Sequence, residues 1–122
     1  IDADLFKNLN KLKYLNLESN QLRSIEDNTF IGLANLQHLI LSLNKISILN
    51  SEAFKSLSKL KTLELKSNYL KRLDENLFHD LRNLYKLDLS QNAIGILDES
   101  IFKNLTKLNE LNLAYNVLSN IR

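Results

Sequence analysis

Two carboxylates 24 residues apart, Glu64 and Asp88, are the side chains of this sequence that could most readily do chemistry. A pair of acidic groups held close together can exchange a proton with a substrate or bind calcium. Groups at the same place on neighbouring strands lie about 4.8 Å apart, so these two charges repel each other unless they are compensated. Lys66 and Lys86 lie on the same predicted face. The lysines argue against a catalytic or calcium-binding pair, and we expect a compensated network of surface charges.

The other side chains give little support to an enzyme. His38 and His79 fall on opposite sides of the repeating unit described below, and neither shares its face with a partner serine. The sequence has no cysteine and only two glycines, which leaves no thiolate ligand, no disulfide and no glycine-rich phosphate loop. We therefore expect no catalytic residue, no metal and no cofactor.

Charge and hydropathy restrict the partners further. The formal net charge of +2 is too small to indicate nucleic acid by itself. No apolar run approaches the roughly 18 residues of a membrane-spanning helix. Membrane association is therefore expected only through segments outside this chain.

The elements that position these side chains follow from a strict period. An asparagine recurs every 24 residues, at Asn20, Asn44, Asn68, Asn92 and Asn116. Leucines precede each of these asparagines by eight, five and three residues. The five phenylalanines keep the same period, at Phe6, Phe30, Phe54, Phe78 and Phe102. A fixed period of this kind indicates a solenoid, in which each coil packs only on its neighbours.

Each repeat is predicted to contain one short strand. The segment from Tyr14 to Glu18 alternates polar and apolar residues, as a half-buried strand does. Strands at the same phase of successive repeats are parallel and need a crossover, and a repeat of 24 residues leaves little room in it for a helix. We expect a short parallel sheet on one face, with turns, extended segments and 3₁₀ segments on the return side.

Both recurring columns are expected to be structural. Each asparagine follows a strand, where the chain turns inward and buried backbone groups lose their ladder partners. An amide side chain has donors and an acceptor for such groups, and leaving them unpaired costs about 1–3 kcal/mol each. The phenylalanines are expected to stack and to fill the return side, where no helix supplies volume.

The sequence from Leu12 to Leu33 reads L-x-x-L-x-L-x-x-N-x-L-x-x-I-x-x-x-x-F-x-x-L. This pattern resembles the typical, 24-residue class of leucine-rich repeat in extracellular animal proteins such as Toll-type receptor ectodomains. The composition, rich in asparagine and lysine and free of proline, is similar to that of insect members, including the mosquito haemolymph leucine-rich immune proteins. The resemblance implies an α/β-type leucine-rich repeat solenoid and an extracellular location, secreted or on the cell surface. It also implies an innate-immune or receptor role, with a ligand on the concave, strand-bearing face.

The whole chain, residues 1–122, is expected to be one array of about five repeats. Ile1 is in register with Ile25 and Ile121, so both ends fall within a repeat. Solenoids need polar end caps. We therefore expect an internal portion of a longer protein, with its caps outside this sequence.

The candidate partner-binding residues are outward strand positions and residues just beyond the strands. In the first two coils, Tyr14, His38, Ile40 and Leu43 are predicted to form an amphipathic patch with exposed apolar atoms, which interface centres favour. The full predicted set is Tyr14, His38, Ile40, Leu43, Glu64, Lys66, Lys86, Asp88 and Tyr115. A protein partner is expected, a glycan is the second option, and homo- and hetero-oligomers both stay open. The alternative function is a structural or adhesive spacer in a cell-surface or matrix protein.

A period of 48 residues runs inside the shorter one. Alternate repeats carry matching lysines, at Lys7 and Lys11, Lys55 and Lys59, and Lys103 and Lys107. The intervening repeats have Asn35 and Asn83 at the second position. This column is either an anion-binding stripe, for instance for acidic glycans, or a solvated flank inherited by duplication, with lysine stems covering apolar edges. The second interpretation is the simpler one, because acidic residues on the adjoining turns offset the field.

One sequence motif concerns modification. Asn104-Leu105-Thr106 matches the acceptor pattern for N-glycosylation. Asn104 is predicted to lie on the return side, where a glycan would leave the concave face free.

Overall fold

The structure of the protein is a computed structural model, and residues 1–121 are described from it. Its strands are very short, two or three residues each. In chain order they are β1 (Tyr14–Asn16), β2 (Ser24–Ile25), β3 (His38–Ile40), β4 (Ile48–Leu49), β5 (Thr62–Glu64), β6 (Lys86–Asp88), β7 (Ile96–Leu97), β8 (Glu110–Asn112) and β9 (Asn120–Ile121).

One parallel sheet of five strands forms the main face, in the order β1-β3-β5-β6-β8. Its register is constant: Tyr14 lies opposite His38, His38 opposite Thr62, and so on to Glu110. Each step is one repeat of 24 residues. The predicted solenoid with a short parallel sheet is therefore confirmed.

The return side consists mainly of turns. Two further parallel pairs stabilise it, β2 with β4 and β7 with β9, while the corresponding residues 72–73 form no strand. Within residues 1–121 the only helical element is a 3₁₀ segment, Glu99–Phe102, whose first turn is capped by the Asp98 carboxylate accepting a hydrogen bond from the Ser100 N–H at 2.9 Å. The expectation of little true helix is confirmed as well.

The core is a continuous column between the sheet and the return side. The inward strand leucines of the central coils, Leu39, Leu63 and Leu87, are fully buried. Behind them the phenylalanine rings stack with centroids 6.2–6.4 Å apart, from Phe6 through Phe102. These separations lie within the range of favourable aromatic pairs. The rings thus supply the volume that a helix would otherwise fill.

The recurring asparagine joins each coil to the one before it. The Asn68 amide donates to the carbonyl oxygens of Leu41 and Leu65, both at 3.1 Å, and its Oδ1 accepts from the Ile46 N–H at 3.0 Å. The same arrangement is found at Asn44, Asn92 and Asn116. In the described chain no buried side-chain nitrogen or oxygen lacks a hydrogen-bond partner. We call this column the asparagine ladder.

Asn20 is the member of the ladder with fewer bonds. Its amide donates to the carbonyl oxygens of Leu17 and Glu18, at 2.9 and 3.3 Å, both within its own coil. Among the described residues it forms no bond to a preceding coil, and it is exposed.

Candidate functional site: the strand-bearing face

The outward side chains of the main sheet form the candidate site, which we call the strand face. The constant register places them in straight columns across the five strands. One column begins at Tyr14 and ends at Glu110, and the next begins at Asn16 and ends at Asn112. Neighbouring members are separated by one strand spacing, about 4.8 Å.

An aromatic and polar row crosses the first three strands. The rings of Tyr14 and His38 lie with centroids 6.1 Å apart and an angle of 49° between their planes. The His38 Nδ1 atom is 2.9 Å from the Thr62 hydroxyl oxygen. Tyr14 is 56% exposed, so most of its ring faces solvent. The row therefore presents the exposed ring of Tyr14 to solvent. Thr62 holds the adjacent His38 imidazole in place.

The predicted apolar patch beside this row needs a correction. Ile40 is only 8% exposed, so the expectation that it adds exposed apolar atoms is wrong. It lies in register with Asn16 on one side and Glu64 on the other, and side chains at strand spacing cover it. Leu43, beyond the strand, is 51% exposed. The accessible apolar atoms of the patch come from Tyr14 and Leu43.

The middle of the strand face holds the two carboxylates. Glu64 and Asp88 are register partners on adjacent strands. Lys86 Nζ lies 3.3 Å from Glu64 Oε1 and forms an ion pair with it. The Asp88 Oδ1 atom accepts hydrogen bonds from the Ser90 N–H and hydroxyl, at 2.9 and 2.6 Å. Each carboxylate is thus compensated, but by a different kind of partner.

The expected role of Lys66 in this network is not observed. Among the residues that the structure describes, Lys66 forms no ion pair, and Lys86 alone neutralises Glu64. Lys66 is an exposed cation at the edge of the face. The described residues also contain no group of three or more histidine, aspartate or glutamate side chains placed to hold a metal ion.

Comparison with known proteins places this architecture in a family. A family profile described as Leucine rich repeat matches residues 1–46, 35–94 and 82–122, which together span the whole chain. The chain belongs to the leucine-rich repeat family. No curated protein sequence matches it at a significant level.

Solved leucine-rich repeat structures resemble the chain over nearly its full length. The Toll–Spatzle complex, described as a molecular hub in Drosophila development and innate immunity, aligns with a TM-score of 0.93 and 28% identity over 98% of this chain. A glycosylated form of that complex gives the same TM-score and identity over 99% of this chain. The TLR13–ssRNA13 complex aligns with a TM-score of 0.87 and 36% identity over 93% of this chain. The chain spans only 16% of the Toll chains and 17% of the TLR13 chain.

A backbone feature of these leucine-rich repeats was not predicted. The residue before each ladder asparagine has a left-handed backbone, with φ between 54° and 59°, at Ser19, Leu43, Ser67, Gln91 and Tyr115. Such residues are usually glycine or asparagine, and neither occurs at these positions, so local composition gave no signal. The conformation turns these side chains out at the edge of the strand face. Leu43 is 51% exposed and Tyr115 is 80% exposed.

The acceptor sequence for glycosylation lies on the return side of the repeats. Asn104 follows the 3₁₀ segment, and its Nδ2 atom is 2.7 Å from the His79 Nδ1 atom and 3.4 Å from the His79 carbonyl oxygen. His79 therefore holds the asparagine amide on the face opposite Tyr14 and Leu43.

Among the described residues, no helix is long and apolar enough to cross a bilayer.

Proposed function

We propose that this array is a non-enzymatic binding module of an extracellular leucine-rich repeat protein, with an innate-immune or receptor role. The likeness to Toll in complex with Spatzle supports a protein partner and a cell-surface or secreted setting. Membrane attachment, where it exists, depends on segments outside this chain. Asn104 is proposed as a glycosylation site that leaves the strand face uncovered.

The observation behind this proposal is the exposed Tyr14 ring on the strand face, which lies tilted beside His38 and is followed at the edge by Leu43. Tyrosine is enriched at the energetic centres of protein interfaces, because it offers a large contact area with little conformational freedom to lose. The proposed contact set is Tyr14, His38, Leu43, Glu64, Lys66, Lys86, Asp88 and Tyr115, and the buried Ile40 lies among them in register with Glu64.

The size of the face sets a requirement on the partner. Five strands at about 4.8 Å give a face about 25 Å long and about 13 Å wide, roughly 300 Å². A standard interface buries about 800 Å² on each partner. A stable complex therefore needs contacts to the flanks of these coils or to further coils.

A photocrosslinking experiment tests the assignment of the strand face. The chain is secreted from insect cells with p-benzoylphenylalanine at position 14 or, as a control, at position 31, where an isoleucine on the return side is 52% exposed. We expect a crosslink to a heterologous protein from position 14 only, and its loss in a chain that also carries Leu43→Ser. Equal crosslinks from both positions would contradict the assignment.

A second function, the structural or adhesive spacer, has its own observation. Tyr69 and Val117 share one column on the side beyond the strands, and Ile48 and Ile96 share another, and all four are 45–64% exposed. Exposed apolar groups in columns suit contacts between copies of the array. In the same crosslinking experiment, this function predicts homodimers from a probe at position 69 and no heterologous product from position 14.

A further inference from the structure

The four residues that precede each strand of the main sheet form a surface of one charge. We define the basic flank as residues 10–13, 34–37, 58–61, 82–85 and 106–109. It contains six basic side chains and no acidic one. The basic residues are Lys11, Lys13, Lys59, Lys61, Arg82 and Lys107. For a chain with a net charge of only +2, this is a strong local excess.

The acidic residues are concentrated elsewhere. The return-side turns at residues 26–28, 50–52, 74–76 and 98–100 contain seven acidic side chains and no basic one. Within residues 1–121 the ion pairs are Lys55 with Glu52 and Lys86 with Glu64, and neither involves the basic flank. In the part of the chain that the structure describes, the cations of the basic flank therefore have no carboxylate partner in direct contact.

The backbone aligns the basic flank along the solenoid. The Lys61 N–H donates to the Gln37 carbonyl oxygen at 2.7 Å, and the Tyr85 N–H donates to the Lys61 carbonyl oxygen at 2.7 Å. Equivalent bonds join Gln37 to Lys13 and Asn109 to Tyr85, both at 2.8 Å. This continuous ladder keeps Lys13 and Lys61 in one column, two strand spacings or about 10 Å apart.

Side-chain hydrogen bonds hold two of the ammonium groups at fixed places. Lys59 Nζ donates to Asn35 Oδ1 at 2.6 Å, and Lys107 Nζ donates to Asn83 Oδ1 at 2.7 Å. The Asn83 amide in turn donates to the Ser58 carbonyl oxygen at 2.7 Å. Because the partner of each lysine is a neutral amide, the hydrogen bond restrains the position of the ammonium group and leaves its positive charge unneutralised.

A shallow depression lies within this surface. Its volume is about 420 Å³, and it is lined by Gln37, Lys59, Lys61, Asn83, Tyr85 and Lys107. Three cations, two amides and one half-exposed tyrosine thus surround a single open site. Amides bind sugar hydroxyls, while lysines supply point charges for anionic groups.

We propose that the basic flank binds a linear sulfated polysaccharide. Repeating anionic groups along such a polymer match a straight series of cations about 10 Å apart, and amides between the lysines serve the sugar hydroxyls. Proteins that bind single-stranded nucleic acid use aromatic side chains as stacking platforms, and the basic flank has only Tyr85. This surface is separate from the strand face, so the inference does not depend on the function proposed above.

A charge-matched pair of variants tests this inference. The flank variant carries Lys59→Gln, Lys61→Gln and Lys107→Gln, and the control variant carries Lys7→Gln, Lys71→Gln and Lys103→Gln. Both variants lower the formal net charge from +2 to −1. Binding of a heparin dodecasaccharide, its desulfated form and a single-stranded DNA 20-mer is measured by calorimetry with the 122-residue chain, and circular dichroism checks the fold.

We expect the flank variant to lose at least about tenfold in affinity for the heparin fragment at about 150 mM salt, and the control variant to stay within about twofold. The desulfated fragment should bind the unmodified chain weakly. Equal losses of affinity for the heparin fragment in both variants would show that the effect depends only on net charge, and would overturn the proposed site. Tighter binding of the DNA would overturn the choice of ligand. Salt-sensitive self-association of the unmodified chain without heparin binding would assign the flank to contacts between copies instead.

Discussion

Two columns of asparagine run along this solenoid, and they obey different periods. The asparagine ladder has the residue in every coil, and its central members Asn44 and Asn68 are buried. In one column of the basic flank asparagine and lysine alternate from coil to coil, with asparagine at Asn35 and Asn83 and lysine at Lys11, Lys59 and Lys107. Asn68 bonds to backbone groups on both sides of a buried turn, whereas Asn83 bonds to one exposed carbonyl oxygen and one lysine.

This difference shows why asparagine recurs in every coil of the ladder. A buried turn has carbonyl oxygens and an N–H group that only an amide side chain can serve together, so every coil needs the same residue. The flank groups are reachable by water, and there the residue is free to alternate. A column with the same residue in every coil therefore indicates buried backbone groups that need a hydrogen-bond partner. A column whose residue alternates between coils indicates an exposed surface, where the residue can change and a binding function can arise.

The largest expected effect comes from placing a lysine in the asparagine ladder. In Asn44→Lys a flexible cation replaces a buried amide and leaves the Leu22 N–H without its acceptor. We expect a loss of at least about 4 kcal/mol in the free energy of unfolding, close to complete loss of the cooperative transition. Urea denaturation followed by circular dichroism measures it.

The matched control is Asn35→Lys on the flank, which extends the lysine column to the second coil. Its cost should stay near 0.5 kcal/mol, roughly the repulsion between exposed like charges. A similar loss for both variants would show that burial does not distinguish the two columns.

A loss of stability of intermediate size is expected to distinguish two members of the ladder, Asn68 and Asn20. Asn68→Ala removes donors to Leu41 and Leu65 and the acceptor for Ile46, and about 3 kcal/mol of stability should be lost. Asn20→Ala removes only bonds within its own exposed coil, so about 1 kcal/mol is expected. Thermal melts of both variants give the comparison. If Asn20→Ala proved as costly as Asn68→Ala, the bonds between coils would not be the stabilising part of the ladder.

The smallest effect is expected at Asn83. Asn83→Ala should change the free energy of unfolding by no more than about 0.5 kcal/mol, because the bonds it removes are exposed. The same substitution frees Lys107 from its anchor, so affinity for a heparin fragment should fall modestly, about twofold to threefold. A large drop in melting temperature would mean that this side chain has a structural role like that of Asn68.

Much of the fold was predictable because the period acts through buried groups. Spacing alone identified the inward leucines, the stacked phenylalanines and the parallel sheet, since each of these fills or closes a buried column. The left-handed residues at Leu43 and Tyr115 were not predictable, because the turn imposes that backbone on residues that do not favour it. The short return strands such as β2 and β4 were likewise invisible, since two-residue pairings leave no periodic pattern.

The strand face was predicted less well than the fold. Its register followed from the period, but the burial of Ile40 depends on how neighbouring side chains lie over it, which spacing does not describe. The choice of Lys86 rather than Lys66 as the partner of Glu64 has the same origin. Outward residues are constrained only by their immediate neighbours, and the sequence pattern contains no information on those contacts.

The asparagine ladder also has a direction. Asn44 Oδ1 accepts from the Leu22 N–H, and Asn68 Oδ1 accepts from the Ile46 N–H, so the turn of each coil is completed by an amide from the coil that follows it. During synthesis from the N-terminus, a newly made coil therefore stays incomplete until the next one has left the ribosome. The coil synthesised last therefore exposes a turn whose backbone N–H has no asparagine acceptor. Each coil completes its hydrogen bonds only after the following coil has been synthesised.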